Sequence, residues 1–328
     1  MHTLVPLLAL TLAAAADTGA APPSGEVLVI ANQGDNTVHL VEAATARTLA
    51  VIPSAPAPHE VAVTRDGRWA VATNYGDRAA VGHALTVIDV STQTVARSID
   101  LSPHTRPHGI AFLPGDSLLA VTSETSRAVL LVSFRDGGVR AVVPTAQQGT
   151  HILAVAPGGE KVWTANVGSG TVTGLDLRTK SPARTIQVGP GTEGAAISPD
   201  GRRIWAASMG RDSTYVFDAQ TGARVAAIAT PGHAYRVSVS PDGRHALVPS
   251  PEQDLVRVID TATMREATIP VPGTPGGAVF SRDGRTVYVP VMATGQVAVI
   301  DLRLNAVARM LPTGAAPDGI AISTYFAR

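Results

Sequence analysis

The chain of 328 residues contains no cysteine, which excludes disulfide bonds, thiolate metal sites, a cysteine nucleophile and a CxxCH haem attachment motif. Charged residues make up only 16% of it, and Lys plus Arg equal Asp plus Glu at 26 each. No net field therefore draws the protein to nucleic acid or to an anionic membrane surface. No segment keeps the 3.6-residue apolar period of an amphipathic helix, which excludes a solenoid of helix pairs. A Walker loop, a G-x-S-x-G elbow and a nucleotide-binding fingerprint are also missing.

The N-terminal residues MHTLVPLLALTLAAAADTGA contain an apolar stretch that ends in alanines. This stretch is too short to span a membrane and is typical of a secretory signal, with a small-x-small cleavage site at residues 14–16. We expect residues 1–16 to be a signal peptide, residues 17–25 a linker and residues 26–328 the folded domain. The mature protein would then be periplasmic or secreted, with no transmembrane segment.

One sequence pattern recurs down the chain, as in PHEVAVTRDGRWAVATN (58–74), PHGIAFLPGDSLLAVTS (107–123) and THILAVAPGGEKVWTAN (150–166). Equivalent positions occur at residues 59, 108, 151, 193, 235, 276 and 318, so successive spacings are 49, 43, 42, 42, 41 and 42. Each copy contains four short β runs, and P-D-G or R-D-G supplies a tight turn with glycine at positive φ. Four strands in about 42 residues are typical of a propeller blade.

The seventh copy is split between the two ends of the chain. Residues 317–323 (PDGIAIS) supply one strand, and residues 26–53 supply the other three as EVLVIAN, TVHLVEA and RTLAVIP. Joining them leaves no open sheet edge at the seam. The sequence therefore predicts an all-β fold, a seven-bladed β-propeller of four-stranded blades, with the last blade closed by N- and C-terminal strands.

Segments such as RTVYVPVMATGQVAVIDLRLNAVARMLPTG and SPDGRRIWAAS resemble the YVTN family of bacterial propeller repeat proteins. Blades of that family read roughly SPDG-x-x-VYVTN followed by a VIDT strand, and the resemblance covers about residues 26 to 328. It implies an exported bacterial propeller but says little about chemistry, because one scaffold hosts unrelated functions. Similar propellers occur in surface-layer proteins, quinoprotein-type dehydrogenase chains, lactonases and the haem-binding domain of bacterial nitrite reductases.

The first strand of each propeller blade lines the central channel, so seven residues at one register form a ring around its mouth. We call this set the polar ring: His59, His108, His151, Glu193, Tyr235, Gly276 and Asp318. The next inward-facing layer is apolar, which predicts a plug beneath the ring: Val61, Ile110, Leu153, Ala195, Val237, Ala278 and Ile320. Two charged residues, Glu60 and Arg236, lie one position past the register. Period-2 reasoning does not settle whether they face the channel.

The polar ring predicts a binding site, because polar side chains in a channel cost stability unless each finds a partner. Second strands end at the same face, which adds two amides to the predicted ligand-binding residues: His59, His108, His151, Glu193, Tyr235, Arg236, Asp318, Asn74 and Asn166. The ligand would be a small polar molecule or a protein partner, and we expect a monomer.

Two other interpretations stay open. In the first, His59, His108, His151 and Glu193 hold a divalent transition metal such as zinc, copper or iron, because imidazole suits these ions. The protein would then be a metal-dependent hydrolase, lyase or oxidoreductase, with Glu193 or Asp318 as ligand or base. In the second, the ring only hydrogen-bonds neighbouring loops, and the protein is a cell-envelope structural or interaction module.

Overall fold

The computed structural model describes residues 25–327, so the predicted signal peptide and all of the linker except its last residue lie outside the described residues. The described residues form seven four-stranded antiparallel sheets arranged as blades of a propeller. The predicted seven-bladed fold is confirmed. The helices among these residues are short 3-10 turns at Met209–Arg211, Pro251–Gln253 and Tyr325–Ala327, and none is long and apolar enough to cross a membrane.

Blades are numbered in chain order from residue 58, and blade 7 joins the two ends. The first, innermost strands of blades 1 to 7 are β4 Pro58–Val63, β8 Pro107–Phe112, β12 Thr150–Val155, β16 Thr192–Ile197, β20 Ser238–Val239, β24 Val279–Phe280 and β28 Pro317–Ser323. The second strands are β5 Trp69–Gly76, β9 Leu118–Ser123, β13 Lys161–Asn166, β17 Arg203–Ser208, β21 His245–Ser250, β25 Thr286–Val291 and β1 Val27–Asn32.

The outer half of each blade consists of its third and fourth strands. The third strands are β6 Val81–Asp89, β10 Ala128–Ser133, β14 Thr171–Asp176, β18 Ser213–Asp218, β22 Leu255–Asp260, β26 Gln296–Asp301 and β2 Thr37–Glu42. The fourth strands are β7 Thr94–Asp100, β11 Val139–Pro144, β15 Ser181–Gln187, β19 Arg224–Ala229, β23 Glu266–Pro270, β27 Ala306–Pro312 and β3 Thr48–Pro53.

The S-P-D-G sequence forms the tight turn between the first two strands of a blade. In blade 5, Ser240 donates a hydrogen bond to Asp242 at 2.6 Å, and the Arg244 N–H donates to the same carboxylate at 3.0 Å. Gly243 follows with φ of 73°, a conformation that costs glycine little. The repeated turn fixes where each second strand begins.

Blade 7 closes the ring as the split repeat predicts. Its strand order is β28-β1-β2-β3, with Val27 opposite Ser323 and Ile30 opposite Ile320. The buried Glu26 carboxylate, just before β1, accepts a hydrogen bond from the Tyr288 hydroxyl of blade 6 at 2.8 Å. The two chain ends therefore complete one sheet, which is also tied to the preceding blade.

The apolar core lies between blades and forms a belt around the channel. Leu85 of blade 1, for example, packs in one cluster with Leu119 and Leu130 of blade 2. The layer beneath the polar ring is apolar, but it lines the channel rather than plugging it. Ile110 and Ile320 keep part of their surface exposed, and a cavity of about 180 Å³ lies inside this layer. The expected plug is therefore incomplete, since Leu153, Ala195 and Ile320 border this cavity instead of filling it.

Candidate functional site

The polar ring lies where first strands begin and second strands end. Pro58 pairs with Asn74 in blade 1, and Pro107 pairs with Ser123 in blade 2, so His59 and His108 follow directly at the mouth of the channel. The register then shifts, which places a bulge at each histidine. Such bulges redirect side chains, here those of the ring.

A threonine on the second strand fixes this bulge and links it to the next blade. The Thr73 hydroxyl accepts a hydrogen bond from the Glu60 N–H at 3.0 Å and donates one to the His108 carbonyl at 2.9 Å. Thr122 repeats the arrangement one blade further, between the Gly109 N–H at 2.7 Å and the His151 carbonyl at 2.5 Å. Neighbouring histidines are therefore held at a fixed separation by backbone contacts.

Glycine follows the ring position where adjacent blades approach most closely. A Cβ at Gly109 would lie 2.7 Å from the His151 carbonyl oxygen, and one at Gly319 would lie 2.2 Å from the His59 carbonyl oxygen. Both distances are shorter than real Cβ contacts, so a side chain would push the blades apart. The glycines thus allow the side chains of adjacent blades to touch.

The three histidines form a stack. The ring centroids of His59 and His108 are 4.1 Å apart, and those of His108 and His151 are 3.5 Å apart. Tyr75 lies edge-on to the first two rings, at 5.1 Å and 5.6 Å. The stack brings imidazoles from three successive blades into contact.

His151 is held between two carboxylates. Its Nδ1 lies 2.5 Å from Glu124 Oε1, and its Nε2 lies 2.5 Å from Glu193 Oε1. Burial alone would lower the pKa of His151, but the Glu193 charge and the hydrogen bonds to Glu124 and Glu193 outweigh burial and raise the pKa to about 9. His151 is therefore an imidazolium at neutral pH, with both nitrogens engaged.

His108, in the middle of the stack, has the opposite environment. It is fully buried, and neither ring nitrogen has a hydrogen-bond partner among residues 25–327. Burial, followed by the charges of His151 and His59, lowers its pKa well below the ordinary value. A neutral imidazole with unsatisfied nitrogens is costly unless another group satisfies them.

Asp318 anchors the other end of the stack. Its Oδ2 lies 2.5 Å from His59 Nδ1 and accepts a hydrogen bond from the Gln33 amide at 2.6 Å. Burial would raise the pKa of Asp318, but Arg236 and His59 outweigh burial and hold it well below its usual range. The other Asp318 oxygen has no hydrogen-bond partner in the described part of the chain.

Glu60 and Arg236 meet across the channel, which answers the question that the sequence left open. Arg236 of blade 5 forms an ion pair with Glu60 of blade 1 and a second with Asp318 of blade 7 at 3.1 Å. Gly277 of blade 6 makes room, since a Cβ there would lie 3.0 Å from the guanidinium. Burial raises the pKa of Glu60, with Arg236 opposing that shift.

The remaining predicted ligand-binding residues lie outside these contacts. Tyr235 belongs to the ring, with the Arg236 guanidinium 5.1 Å from its ring centroid. The Asn74 amide donates to Ser54 and to the Ala55 carbonyl, both at 2.9 Å. Asn166 donates to its own blade, at 3.1 Å and 3.0 Å to two threonine hydroxyls. Both amide groups already donate hydrogen bonds to other residues of the propeller. Their role in ligand binding stays a prediction that this geometry does not favour.

Three residues of the site were not predicted: Gln33, Tyr75 and Glu124. Each directly follows the last polar residue of a second strand, so all three share one register of the repeat. The Tyr75 hydroxyl donates to Glu124 at 2.7 Å, which joins this register to the histidine stack. Tracing the register one residue further would have found them.

The site carries an excess of negative charge. Its four carboxylates outnumber its three cations, which are Arg236, His151 and Arg106, whose guanidinium lies 4.9 Å from the Tyr75 ring centroid. The carboxylates are Glu60, Glu124, Glu193 and Asp318.

Potential metal ligands converge in a set that differs from the predicted one. Among the described residues, ligand atoms of His59, Glu60 and His108 lie within 4.8 Å of one another. His151 and Glu193, which complete the predicted set, are instead bound to each other. Metal binding stays a prediction, and the geometry favours Glu60 over these two residues as the partner of His59 and His108.

Another recess lies at the opposite end of the channel. It has a volume of about 850 Å³, and apolar side chains such as Phe112, Phe280 and Ile322 line it. Arg65 and Arg282 stand exposed near its rim. Volume alone does not indicate a polar binding site, and five of the eight buried side-chain atoms that lack hydrogen-bond partners among residues 25–327 lie at the histidine-bearing end.

No model of a known protein family matches the chain, and no curated protein matches it in sequence. Solved structures share its fold. A hydrazine synthase chain from Kuenenia stuttgartiensis is 18% identical with a TM-score of 0.76, over 86% of this chain and 94% of that chain. A functionally unknown protein from Desulfotomaculum acetoxidans is 14% identical with a TM-score of 0.76, over 90% and 98%. A dihydro-heme d1 dehydrogenase in complex with DHE is 19% identical with a TM-score of 0.66, over 90% of this chain and 65% of that chain. These identities show the fold alone.

Proposed function

We propose that the chain is an exported propeller that binds a small polar ligand, carrying positive charge or several N–H donors, at the histidine-bearing mouth of its channel. The observation that carries this proposal is His108, which is fully buried with two ring nitrogens that have no hydrogen-bond partner among residues 25–327. A structural ring would satisfy these atoms, because each unpaired buried polar group costs about 1–3 kcal/mol. A bound ligand supplies the missing partners.

The charge balance of the site indicates the class of ligand. Four carboxylates face three cations, so a bound anion would meet a net negative field, whereas a cation or a donor-rich group is attracted. The side chains of His59 and Glu60 are 16% and 17% exposed, and Glu60 also lines the cavity of about 180 Å³ beneath the polar ring, whereas His108 is fully buried.

We predict that isothermal titration calorimetry with methylammonium, guanidinium, putrescine and divalent metal chlorides will detect a cation that binds once per chain. Acetate should not bind. His108→Ala should weaken that binding by at least about tenfold. The loss of ring packing and the removal of two unsatisfied nitrogens oppose each other, so thermal stability should change by no more than about 1 kcal/mol.

His39→Ala is the matched control, since His39 is also buried with an unpartnered nitrogen but lies outside the site. It should bind the cation as the unsubstituted protein does. Unchanged binding by His108→Ala together with a lower melting temperature would show that the ring is structural.

Export places this binding outside the cytoplasm. We predict that N-terminal sequencing of the mature protein from a bacterial periplasm will read from Asp17, as the cleavage site after residue 16 requires. Intact Met1 on protein recovered from the cytoplasmic fraction would overturn export without affecting the binding proposal.

A further inference from the structure

We infer that the cation bound at the mouth is a divalent transition metal ion whose protein ligands are His59, Glu60 and His108. This inference deepens the proposed function and rests on it. It replaces the three-histidine set that the sequence suggests with two imidazoles and one carboxylate from blades 1 and 2. The ligand atoms already lie within 4.8 Å of one another. Zinc holds such atoms about 2.0–2.2 Å from itself, so small side-chain rotations would close the site.

Each imidazole offers a nitrogen lone pair. His59 Nδ1 lies 2.5 Å from Asp318, and a metal-binding histidine commonly donates its other N–H to a carboxylate in this way. Such a bond leaves Nε2 as the ligand atom. His108 has both nitrogens without hydrogen-bond partners among the described residues. One of them can bind the ion without giving up an existing contact.

His151 lacks this freedom, although it belongs to the same stack. Glu124 and Glu193 engage its two nitrogens at 2.5 Å each. Binding a metal would break one of these two hydrogen bonds. The structure therefore assigns His151 to the wall of the site rather than to the ligand set.

Arg236 opposes a cation, because it already forms an ion pair with Glu60. The carboxylate has a second oxygen, however, and carboxylates commonly bind a metal through one oxygen and a neighbouring donor through the other. The four carboxylates of the site still outnumber its basic groups, which are Arg236, Arg106 and His151. The net field thus favours an added positive ion.

The chemical types of the three ligand side chains indicate which metal ions the site prefers. Two imidazoles and one carboxylate suit zinc and iron(II), whereas magnesium and calcium prefer oxygen ligands. Three protein ligands leave at least one coordination position open. The side chains of His59 and Glu60 keep part of their surface exposed, and Glu60 also lines the cavity beneath the polar ring.

The test uses the mature, tag-free chain after treatment with a chelator. We expect equilibrium dialysis followed by elemental analysis to find one zinc or, under anaerobic conditions, one iron(II) per chain, and no magnesium. Glu60→Gln should weaken binding of the same ion by at least about tenfold, and His108→Ala should do so more strongly. Glu252→Gln is the control, because Glu252 also pairs with a histidine, His233, at 3.0 Å but is exposed and outside the site.

His151→Gln distinguishes the two ligand sets. It should keep the ion, and a loss of binding as large as that of His108→Ala would overturn our ligand assignment. X-ray absorption of the unsubstituted, metal-loaded protein gives a second answer that needs no variant to fold: two imidazoles are expected, and three would contradict the inference.

Failure of this inference and failure of the proposed function look different. If the protein binds neither zinc nor iron(II) at about 1 mM free ion, the metal inference is overturned. Binding of an ammonium or guanidinium probe that depends on His108 would then still support the proposed function. If no cation of either kind binds, both proposals fail.

Discussion

Replacing Arg236 with methionine is expected to lower the free energy of unfolding by about 3–5 kcal/mol. Arg236 is buried and forms ion pairs with Glu60 and Asp318, which come from two other blades. Methionine has a similar length but no charge, so the substitution leaves Glu60 without its ion-pair partner and Asp318 with only His59 and Gln33. Chemical denaturation followed by circular dichroism would measure the loss.

Arg203→Met is the matched control, since Arg203 also pairs with a carboxylate, Asp218, at 2.7 Å. Its side chain is 41% exposed, so the same substitution should cost less than about 1 kcal/mol. Adding Glu60→Gln and Asp318→Asn to the Arg236 variant should recover at least half of the lost stability, because it removes the uncompensated charges. A triple variant no more stable than the single one would show that Arg236 acts through packing and not through charge.

The fold could be predicted because the same pattern of four β runs recurs in each copy of the repeat. A period of about 42 residues with four β runs admits a propeller blade and little else, and the split copy predicts the closure that pairs Val27 with Ser323. Whether the apolar layer closes the channel could not be predicted in the same way. The repeat identifies Ile110 and Ile320 as one apolar layer, but the width of the channel decides whether such side chains meet.

The position of the site along the channel axis could also be predicted, but not which of its side chains contact each other. The repeat places His151 and Glu193 at one register, and the structure shows them in contact. The repeat does not predict that Glu124, which follows a second strand of the preceding blade, contacts the other nitrogen of His151. That contact depends on how closely adjacent blades pack, which Gly109 permits. The sequence therefore suggested three equivalent histidines, whereas their partners make them different.

Two charged residues inside the channel also make a contact that the repeat does not predict. Glu60 and Arg236 lie one position past the polar ring, and the alternation of side chains along a strand does not decide whether they face the channel. The register shift of blade 1 falls at Glu60, whereas Arg236 lies just before β20 and outside its ladder, and the two side chains form an ion pair across the channel. An irregularity of the strand, which the hydrophobic pattern does not encode, thus helps to place an ion pair inside the channel.

Ending the chain after Pro317 is expected to destabilise the whole propeller and lower its melting temperature by about 10 °C or more. The truncation removes most of β28, including Ile320 and Ile322, which pack against the core of blade 7 and whose burial contributes about 2 kcal/mol each. It also removes Asp318, a partner of Arg236. Differential scanning calorimetry would report the shift.

A chain that ends at Tyr325 is the control, because it keeps all of β28 and should melt close to the full-length protein. Truncation after Pro317 leaves the backbone of β1 as an open sheet edge, which can pair with an added strand. A synthetic peptide of residues 317–328 should therefore bind the truncated chain and raise its melting temperature, whereas a peptide with proline at position 321 should not, because Ala321 lies opposite Val29 in the ladder. An unchanged melting temperature after truncation would mean that β28 does not close the ring. Loss of stability without rescue by the peptide would mean that the two chain ends contribute by some route other than pairing in blade 7.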